Sequence, residues 1–327
     1  MQLFPDALLN RNAYDEKVRK IKLLQTHISW IFLTGKYAYK VKKPVNFRFA
    51  DFSTLRKRRF FCYEEVRLNS RLSPELYYGV IPITREGNKI KLNGSGKIIE
   101  YAIKMREMPQ STLMNSLLKR DKIDKGIISR IAKIVADFHS TAETGNEVNK
   151  YGSINTIRFN WNENFEQTKK FINNIISKRI FYTVSNKVNM FMKSNRKLFE
   201  QRIESNKIRW CHGDLHSGNI FIADKIYIFD CVEFNKRISC CDVASEVAFF
   251  SMDLDFYNKR KFSEYFIKQY IKYAKDYDLI PLLDFYKCYR AWVRGKVFSF
   301  RLSELSSKAA RIAKRYFDLA FEYSRSF

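Results

Sequence analysis

The sequence predicts an α+β chain in two parts: a five-stranded antiparallel sheet with one helix, then a mainly helical part. Three observations carry this expectation. Lys20 to Pro44 alternates apolar and polar positions in short runs separated by turn signals, and short strand-like runs return between Tyr77 and Met105. From residue 111 onward the apolar positions recur at helical spacing. Between Ile208 and Glu233 a polar octet, His212-Gly213-Asp214-Leu215-His216-Ser217-Gly218-Asn219, interrupts short apolar runs whose flanking Gly and Asp favour strands over helix.

Residues 1–20 are expected to be helical and peripheral. Lys20 to Pro44 reads as three strands, about 20–25, 28–33 and 37–42, parted by Thr26-His27-Ile28-Ser29 and by Thr34-Gly35. In the third strand Ala38 and Lys40 share a face, because strand side chains alternate, and Lys42 lies on that face too. Pro44 to Ser53 is expected to be an aromatic loop. Ser53 or Thr54 caps a helix from Leu55 to Leu72, which aligns Phe61, Glu65, Leu68 and Leu72 on one side. A glutamate on an apolar face needs a cation, and Lys40 is the expected partner; Glu64 is the rival to Glu65. The helix stops before Ser73-Pro74, since proline disfavours helix in its predecessor. Strands at Tyr77–Thr84, Asn88–Leu92 and Ile98–Met105 complete the sheet, with a turn at Asn93–Gly96. Gly94-Ser95-Gly96-Lys97 fits neither G-x-G-x-x-G nor G-x-x-x-x-G-K-[ST]. A boundary near Met108 divides the chain into 1–108 and 109–327.

The second part is expected to hold a short helix at Ser111–Arg120 and an amphipathic one at Lys125–Thr141. In the latter Ile127, Ile131, Ile134, Val135 and Phe138 face inward and His139 is a structural terminus. Thr144 to Asn162 reads as loop, with Asn160-Trp161-Asn162-Glu163-Asn164 as a solvated helix start. Further helices are expected at about 163–178, 180–204, 258–277, 281–303 and 305–325. The penultimate one carries Tyr286, Arg290, Trp292 and Arg294, a candidate wall for a second substrate.

Composition narrows the classes. A hydrophobic content of 46% excludes wholesale disorder. Sixty Lys+Arg against 34 Asp+Glu gives a net charge of +26, which attracts polyanions. The basic residues are spread along the chain, which disfavours a dedicated nucleic-acid arm. No apolar run approaches the roughly 20 residues of a membrane helix. Six cysteines without C-x-x-C and an N-terminus without a signal-peptide pattern predict reduced thiols and a cytoplasmic protein. Cys211, His212, His216 and Cys231 lie close in sequence but match no zinc spacing, and Gly213 and Gly218 oppose the helix that an H-x-x-x-H pair needs. No oligomeric state follows from the sequence.

The run from Ile208 to Glu233 is expected to place Asp214, Asn219 and Asp230 at one end of a small hairpin. Two carboxylates and an amide oxygen suit a hard cation such as Mg2+, with one carboxylate left to handle a proton.

HGDLHSGN followed by IFD resembles the catalytic and metal loops of the aminoglycoside phosphotransferase and choline kinase superfamily, relatives of the protein kinases with their H-R-D-L-x-x-x-N and D-F-G. Tyr37-Ala38-Tyr39-Lys40 is similar to the V-A-I-K strand. TGKYAYKVKKPV, DFSTLRKRR and FDCVEFN look most like an uncharacterised branch of the aminoglycoside phosphotransferases. The resemblance implies a two-lobed protein-kinase-like fold that moves the γ-phosphoryl group of ATP to a hydroxyl of a small molecule, with Mg2+. It implies that Asp214 accepts or orients the hydroxyl proton and that His216 donates to the moving phosphoryl group. Asn219 and Asp230 would hold Mg2+, and Lys40, positioned by Glu65, would steady the α and β phosphates. Glu107 and Met108 would form the adenine-binding hinge, Thr26 or Ser29 would cover the phosphates, and Asp242-Val243-Ala244 would buttress the catalytic loop.

The chain also departs from protein kinases. Cys231-Val232-Glu233 stands where they have F-G, and no A-P-E follows, which implies a fixed metal loop and a small acceptor. An alternative is a nucleotide-binding module on RNA or another polyanion, without turnover; a second is a protein kinase. In some members of the branch a P-loop ATPase domain follows, and the missing Walker motif leads to the expectation that this half is absent. No local motif names the acceptor. A cationic acceptor would need an acidic patch, to which Glu163, Glu166, Asp253 and Asp255 are the candidate contributors.

Overall fold

The computed structural model describes residues 5–47 and 50–327. The chain forms two compact units, one of Met1–Ser116 with Asn219–Lys236 and one of Leu117–Gly218 with Arg237–Phe327. The first four residues of the expected N-terminal helix, and Arg48 and Phe49 of the expected aromatic loop, lie outside the described residues.

The first unit opens with two short 3-10 turns, Asp6–Leu9 and Arg11–Ala13, in place of a helix. The Asn10 side chain accepts from the Asn12 amide. That local bond competes with helix propagation. Strands β1 (Lys22–Gln25), β2 (Ser29–Leu33) and β3 (Tyr37–Lys42) follow, then a ribbon of β4 (Asn46–Phe47) and β5 (Ala50–Asp51), and helix α1 (Leu55–Asn69). Thr54 caps α1, accepting from Lys57 N. The helix ends at Asn69, short of Leu72, because the Asn69 carbonyl turns to accept from Leu72 N and Ser73 N.

Strands β6 (Tyr77–Glu86), β7 (Lys89–Leu92) and β8 (Lys97–Arg106) complete the sheet, ahead of the short helix α2 (Met114–Leu118). The sheet has six strands in the order β1-β2-β3-β8-β6-β7, not five. Each of the six expected segments forms one strand, so the expected count of five is one short; β6 runs past Thr84 to Glu86 and pairs with β7 from Ile83↔Leu92 to Glu86↔Lys89. Gly87, at φ +57, makes the tight turn between them.

The pleat sorts the side chains. Phe32, Tyr39, Val41, Ile83 and Ala102 face the core that also holds Leu8, Ala13, Tyr14 and Val18. Ile103 looks the other way, into a core with Cys62 of α1, Leu76, Tyr77 and Met108. Since Lys40 pairs with Ile103 across the strands, Lys40 and Lys42 face α1.

The second unit begins with α3 (Lys125–Thr141), which buries Ile128, Ile131, Val135 and Phe138; Ile127 and Ile134 are only half-buried. After α4 (Asn146–Asn149), helix α5 spans Ile154–Thr168, so the segment expected as loop up to Asn162 is mostly helical. Ser153 caps it, and the run of asparagines hides the helical period whose buried positions are Ile157, Trp161 and Phe165. Helices α6 (Lys178–Ser194) and α7 (Arg196–Glu204) lead to β9 (Ile208–Trp210). The chain then supplies the hairpin β10 (Ile220–Ile222) and β11 (Ile226–Ile228) of the first unit. Phe221 and Tyr227 of this hairpin join the core beneath α1.

After α8 (Lys236–Ser239), strand β12 (Cys240–Asp242) pairs with β9. Helices α9 (Val243–Phe256), α10 (Arg260–Ala274), α11 (Leu283–Ser299) and α12 (Leu302–Tyr323) close the unit. Trp292 is wholly buried, with ring centroids 5.0 Å from both Phe165 and Phe317. No helix among the described residues is long and apolar enough to cross a membrane.

Candidate functional site

In the first unit, β3, α1 and the segment after β11 bring five charged side chains together. Glu65, which has no exposed surface, accepts from Lys40 Nζ on one carboxylate oxygen and from Lys42 Nζ on the other, each at 2.7 Å. Lys40 also reaches Asp230 Oδ1 at 2.5 Å, and Lys42 pairs with Glu233. The charges alternate as Asp230, Lys40, Glu65, Lys42, Glu233. Burial pushes Glu65 up, but the two ammoniums outweigh it and hold the carboxyl at about 2. Burial works against the charge of Lys40 as well, yet Asp230 and Glu65 raise it well above the ordinary lysine range. Glu64, the rival, pairs at the surface with Arg67. The choice between Lys40 and Lys42 resolves into both on Glu65, with only Lys40 touching Asp230.

Asn219 and Asp230 flank the open end of the β10–β11 hairpin, where Phe229 N donates to Asn219 O at 3.0 Å. Asp230 adopts φ +67, an uncommon state for a residue with a side chain. Its side chain is 43% exposed, unlike those of Glu65 and Glu233. Of the three carboxylates, Asp230 is therefore the one a cation from solvent can reach. With the Asn219 amide oxygen it offers the hard donors that Mg2+ prefers.

In the second unit the loop after β9 presents Asp214 and His216. Gly218 N–H donates to His216 Nδ1 at 3.0 Å, so Nδ1 accepts and Nε2 carries the hydrogen, 3.3 Å from Asp214 Oδ2. Arg294 NH1 lies 3.4 Å from that Nε2. Burial pushes Asp214 up, but His216, Arg294 and His212 hold it below the usual carboxylate range. Asp214 is thus kept as a carboxylate that stays 38% exposed.

The loop is anchored from behind. Glu246 on α9 accepts from His212 N at 3.1 Å and Gly213 N at 2.7 Å. Its carboxylate is itself held by His139 Nε2 at 2.8 Å, and His139 Nδ1 meets Tyr270 Oη at 2.8 Å. Arg290 NH1 donates to Gly213 O at 3.1 Å, and Asp253 accepts from Ser217 N at 2.8 Å. Gly213 takes φ +87, where a side chain would be strained.

The expected buttress is corrected accordingly. Asp242 caps α9 through Ala244 N and pairs with Arg202 at 2.7 Å, and it is Glu246, one turn later, that holds the loop. Sequence reasoning assigned no role to Glu246 or Glu233, and placed Asp253 in an acidic patch and not on the Ser217 amide. For Glu246 the available signal was an acid in an otherwise apolar helix turn. His139, Cys211 and Glu246 come within 4.8 Å of one another, as metal ligands would. Both His139 nitrogens and both Glu246 oxygens already serve the protein, however.

Ser29 is fully buried and pairs across the strands with Lys42. Thr26 Oγ1 accepts from Ser29 N and Ile28 N, closing the β1–β2 turn. Glu107 N donates to Lys36 O, its carboxylate accepts from Gly35 N at 2.7 Å, and the Met108 side chain is buried. Tyr286 and Trp292 are core residues, which leaves Arg290 and Arg294 as the members of their helix that reach the Asp214 loop. Glu163 pairs with Arg237 and Glu166 with Lys169, while Asp253 binds Ser217 N and Asp255 binds Lys287. All four candidates for an acidic patch are thus engaged within the protein.

No family model matches the chain. Uncharacterised proteins of Mycobacterium tuberculosis and Mycobacterium bovis are 29% identical over 304 residues, covering 93% of this chain. The chain spans 59% of the length of these curated relatives. Among solved structures, choline kinase from Cryptosporidium parvum superposes with a TM-score of 0.57 at 12% identity, over 98% of this chain and 95% of that one. Plasmodium vivax ethanolamine kinase gives 0.53 at 13% identity, over 92% and 81%. The GDP complex of an aminoglycoside 2'-phosphotransferase gives 0.55 at 11% identity, over 96% and 95%. The chain therefore has the kinase-like fold of choline and ethanolamine kinases and aminoglycoside phosphotransferases, the superfamily that its motifs resemble.

Proposed function

We propose that the protein transfers the γ-phosphoryl group of ATP to a hydroxyl of a small molecule, with Mg2+. The observation that carries this reading is Lys40, held between the buried Glu65 and the solvent-reaching Asp230. A lysine fixed by a helix glutamate beside a metal-friendly carboxylate is the arrangement that phosphoryl transfer uses to steady phosphates. The shared fold with small-molecule kinases supports it.

In this reading Lys40 binds the α and β phosphates, and Glu65 keeps it charged and aimed. Asp230 and Asn219 would hold Mg2+, which when bound neutralises phosphate charge. Asp214, maintained as a carboxylate, accepts or orients the acceptor's hydroxyl proton. His216 Nε2–H, now on Asp214, is the donor available to the moving phosphoryl group. Glu107 and Met108 are proposed as the adenine hinge. Because the Glu107 amide already binds Lys36 O, its carbonyl and the Met108 backbone are the groups to consider; the Ser29 hydroxyl is proposed to line the phosphate side. Residues 1–108, with the β10–β11 hairpin, would handle the nucleotide, and 109–327 the acceptor. Six free thiols suit a reducing, cytoplasmic setting.

The test is ADP release from Mg-ATP across panels of sugars, amino alcohols and nucleosides. Asp214→Asn is expected to lower the rate at least 100-fold while ATP binding persists. Asp230→Ala is expected to abolish the Mg2+ dependence of ATP binding. Binding of Mg-ATP without transfer to any acceptor would favour a nucleotide-binding module instead.

A further inference from the structure

We infer that Lys42 and Glu233 form a second buried ion pair that positions the Asp230 loop, making Glu233 and Lys42 positioning residues for the metal carboxylate. This rests on the proposed function, in which Asp230 holds Mg2+.

The pair is unusual in its burial. The Lys42 and Glu233 side chains are 1% and 4% exposed, and the Lys42 ammonium lies 4.9 Å from the ring centroid of Phe52, itself fully buried. Removing two charges from water costs several kcal/mol per ion, and an apolar pair of similar size often serves stability as well or better. A stabilising role alone is a weak reason for these residues. Position is a better one. Asp230 and Glu233 lie on the same short segment, and each grips a different lysine of β3, while both lysines meet on Glu65. Between them Cys231 N donates to Asn69 Oδ1 of α1 at 2.9 Å, and beyond them the Phe234 ring lies 6.2 Å from Phe52.

The segment is thus tied to β3 at both ends and to α1 in the middle. Asp230 needs such ties, because its φ of +67 persists only when the surroundings impose it. Losing the Lys42–Glu233 tie frees one end, lets Asp230 relax, and shifts its exposed oxygen away from where a cation is held. Supporting groups of this kind around metal ligands typically account for 10–100-fold in metal affinity.

The experiment measures binding of a fluorescent ATP analogue, with and without Mg2+, and circular dichroism of the unliganded protein. The double variant K42M/E233Q removes both charges of the pair together, and Glu65, which loses Lys42, keeps its ion pair with Lys40. It is expected to keep the wild-type fold and Mg2+-free affinity while its Mg2+-supported affinity falls about 10–100-fold. Glu233→Asp retains the charge but shortens the reach, and is expected to show a several-fold loss in the same measurement. That variant decides the matter if the double variant does not fold. Wild-type Mg2+-supported affinity in either folded variant overturns the inference. A wild-type protein whose ATP binding ignores Mg2+ overturns the functional reading itself, a distinct result.

Discussion

At the scale of single residues, Glu65 decides more than any other side chain in the first unit. Its two oxygens each hold a lysine, and it has no route to solvent. Glu65→Gln would leave Lys40 and Lys42 sharing a buried space with only Asp230 and Glu233 to offset them. Breaking a buried pair by removing one partner costs about 3–5 kcal/mol, because the charge left behind is uncompensated. The neighbouring Glu64→Gln touches only a surface pair with Arg67 and should change stability by less than about 1 kcal/mol. Urea denaturation of the two variants checks the contrast, and equal losses would refute it. The sequence made Glu65 legible because helical spacing puts it with Leu68 on the apolar side of α1. It left Glu233 silent, because nothing in a coil segment says which way a side chain points. Pleating put Lys40 and Lys42 on one face, but only the position of α1 shows that one carboxylate serves both.

At the scale of elements, α9 organises the loop that carries Asp214. Its cap, Asp242, was readable as an acid before an apolar run, yet it ties Arg202 and not the loop. The loop hangs on Glu246, and no spacing rule separates these two acids, since each suits a helix's first turn. The six strand segments and the helices 258–277, 281–303 and 305–325 were legible from their period, whereas α5 was hidden by its asparagines. Glu246 makes the role of α9 measurable. Burial raises its carboxyl, but His139, His212 and the Gly213 amide bring it down to about 2, against an ordinary 4.5. A depressed carboxyl contributes stability that is present above pH 4.5 and lost as pH falls toward 2. The unfolding free energy should therefore fall by about 2–3 kcal/mol from this group across that window. Glu246→Gln should start less stable at neutral pH and show a shallower acid slope. Denaturant titrations at several pH values give both numbers, and an unchanged slope would reject the assignment.

At the scale of the whole molecule, the net charge of +26 understates how basic the surface is. Among the described residues, the buried acids Glu65, Glu100, Glu233, Asp242, Glu246, Asp253, Asp255 and Asp276 outnumber the buried cations Lys40, Lys42, Arg58, Arg202, Lys287 and Arg290. The interior consumes carboxylates in the networks that hold Lys40 and the Asp214 loop, and the surface keeps the surplus of Lys and Arg. Such a surface attracts any polyanion, and the attraction weakens steeply as salt competes for the phosphates. The protein should bind single-stranded and duplex nucleic acid alike at 50 mM salt, losing at least about 100-fold in affinity by 200 mM, without regard to base sequence. Asp214→Asn and Glu65→Gln should leave that binding unchanged, since neither residue belongs to the basic surface. The proposed ATP turnover, which would depend on the small network around Lys40 and on Asp214, should proceed without nucleic acid. Fluorescence anisotropy on labelled oligonucleotides, run beside a coupled ADP assay, separates the two properties. Turnover that required RNA, or binding that survived high salt with a sequence preference, would make the charge part of the function and not a by-product of where the carboxylates went.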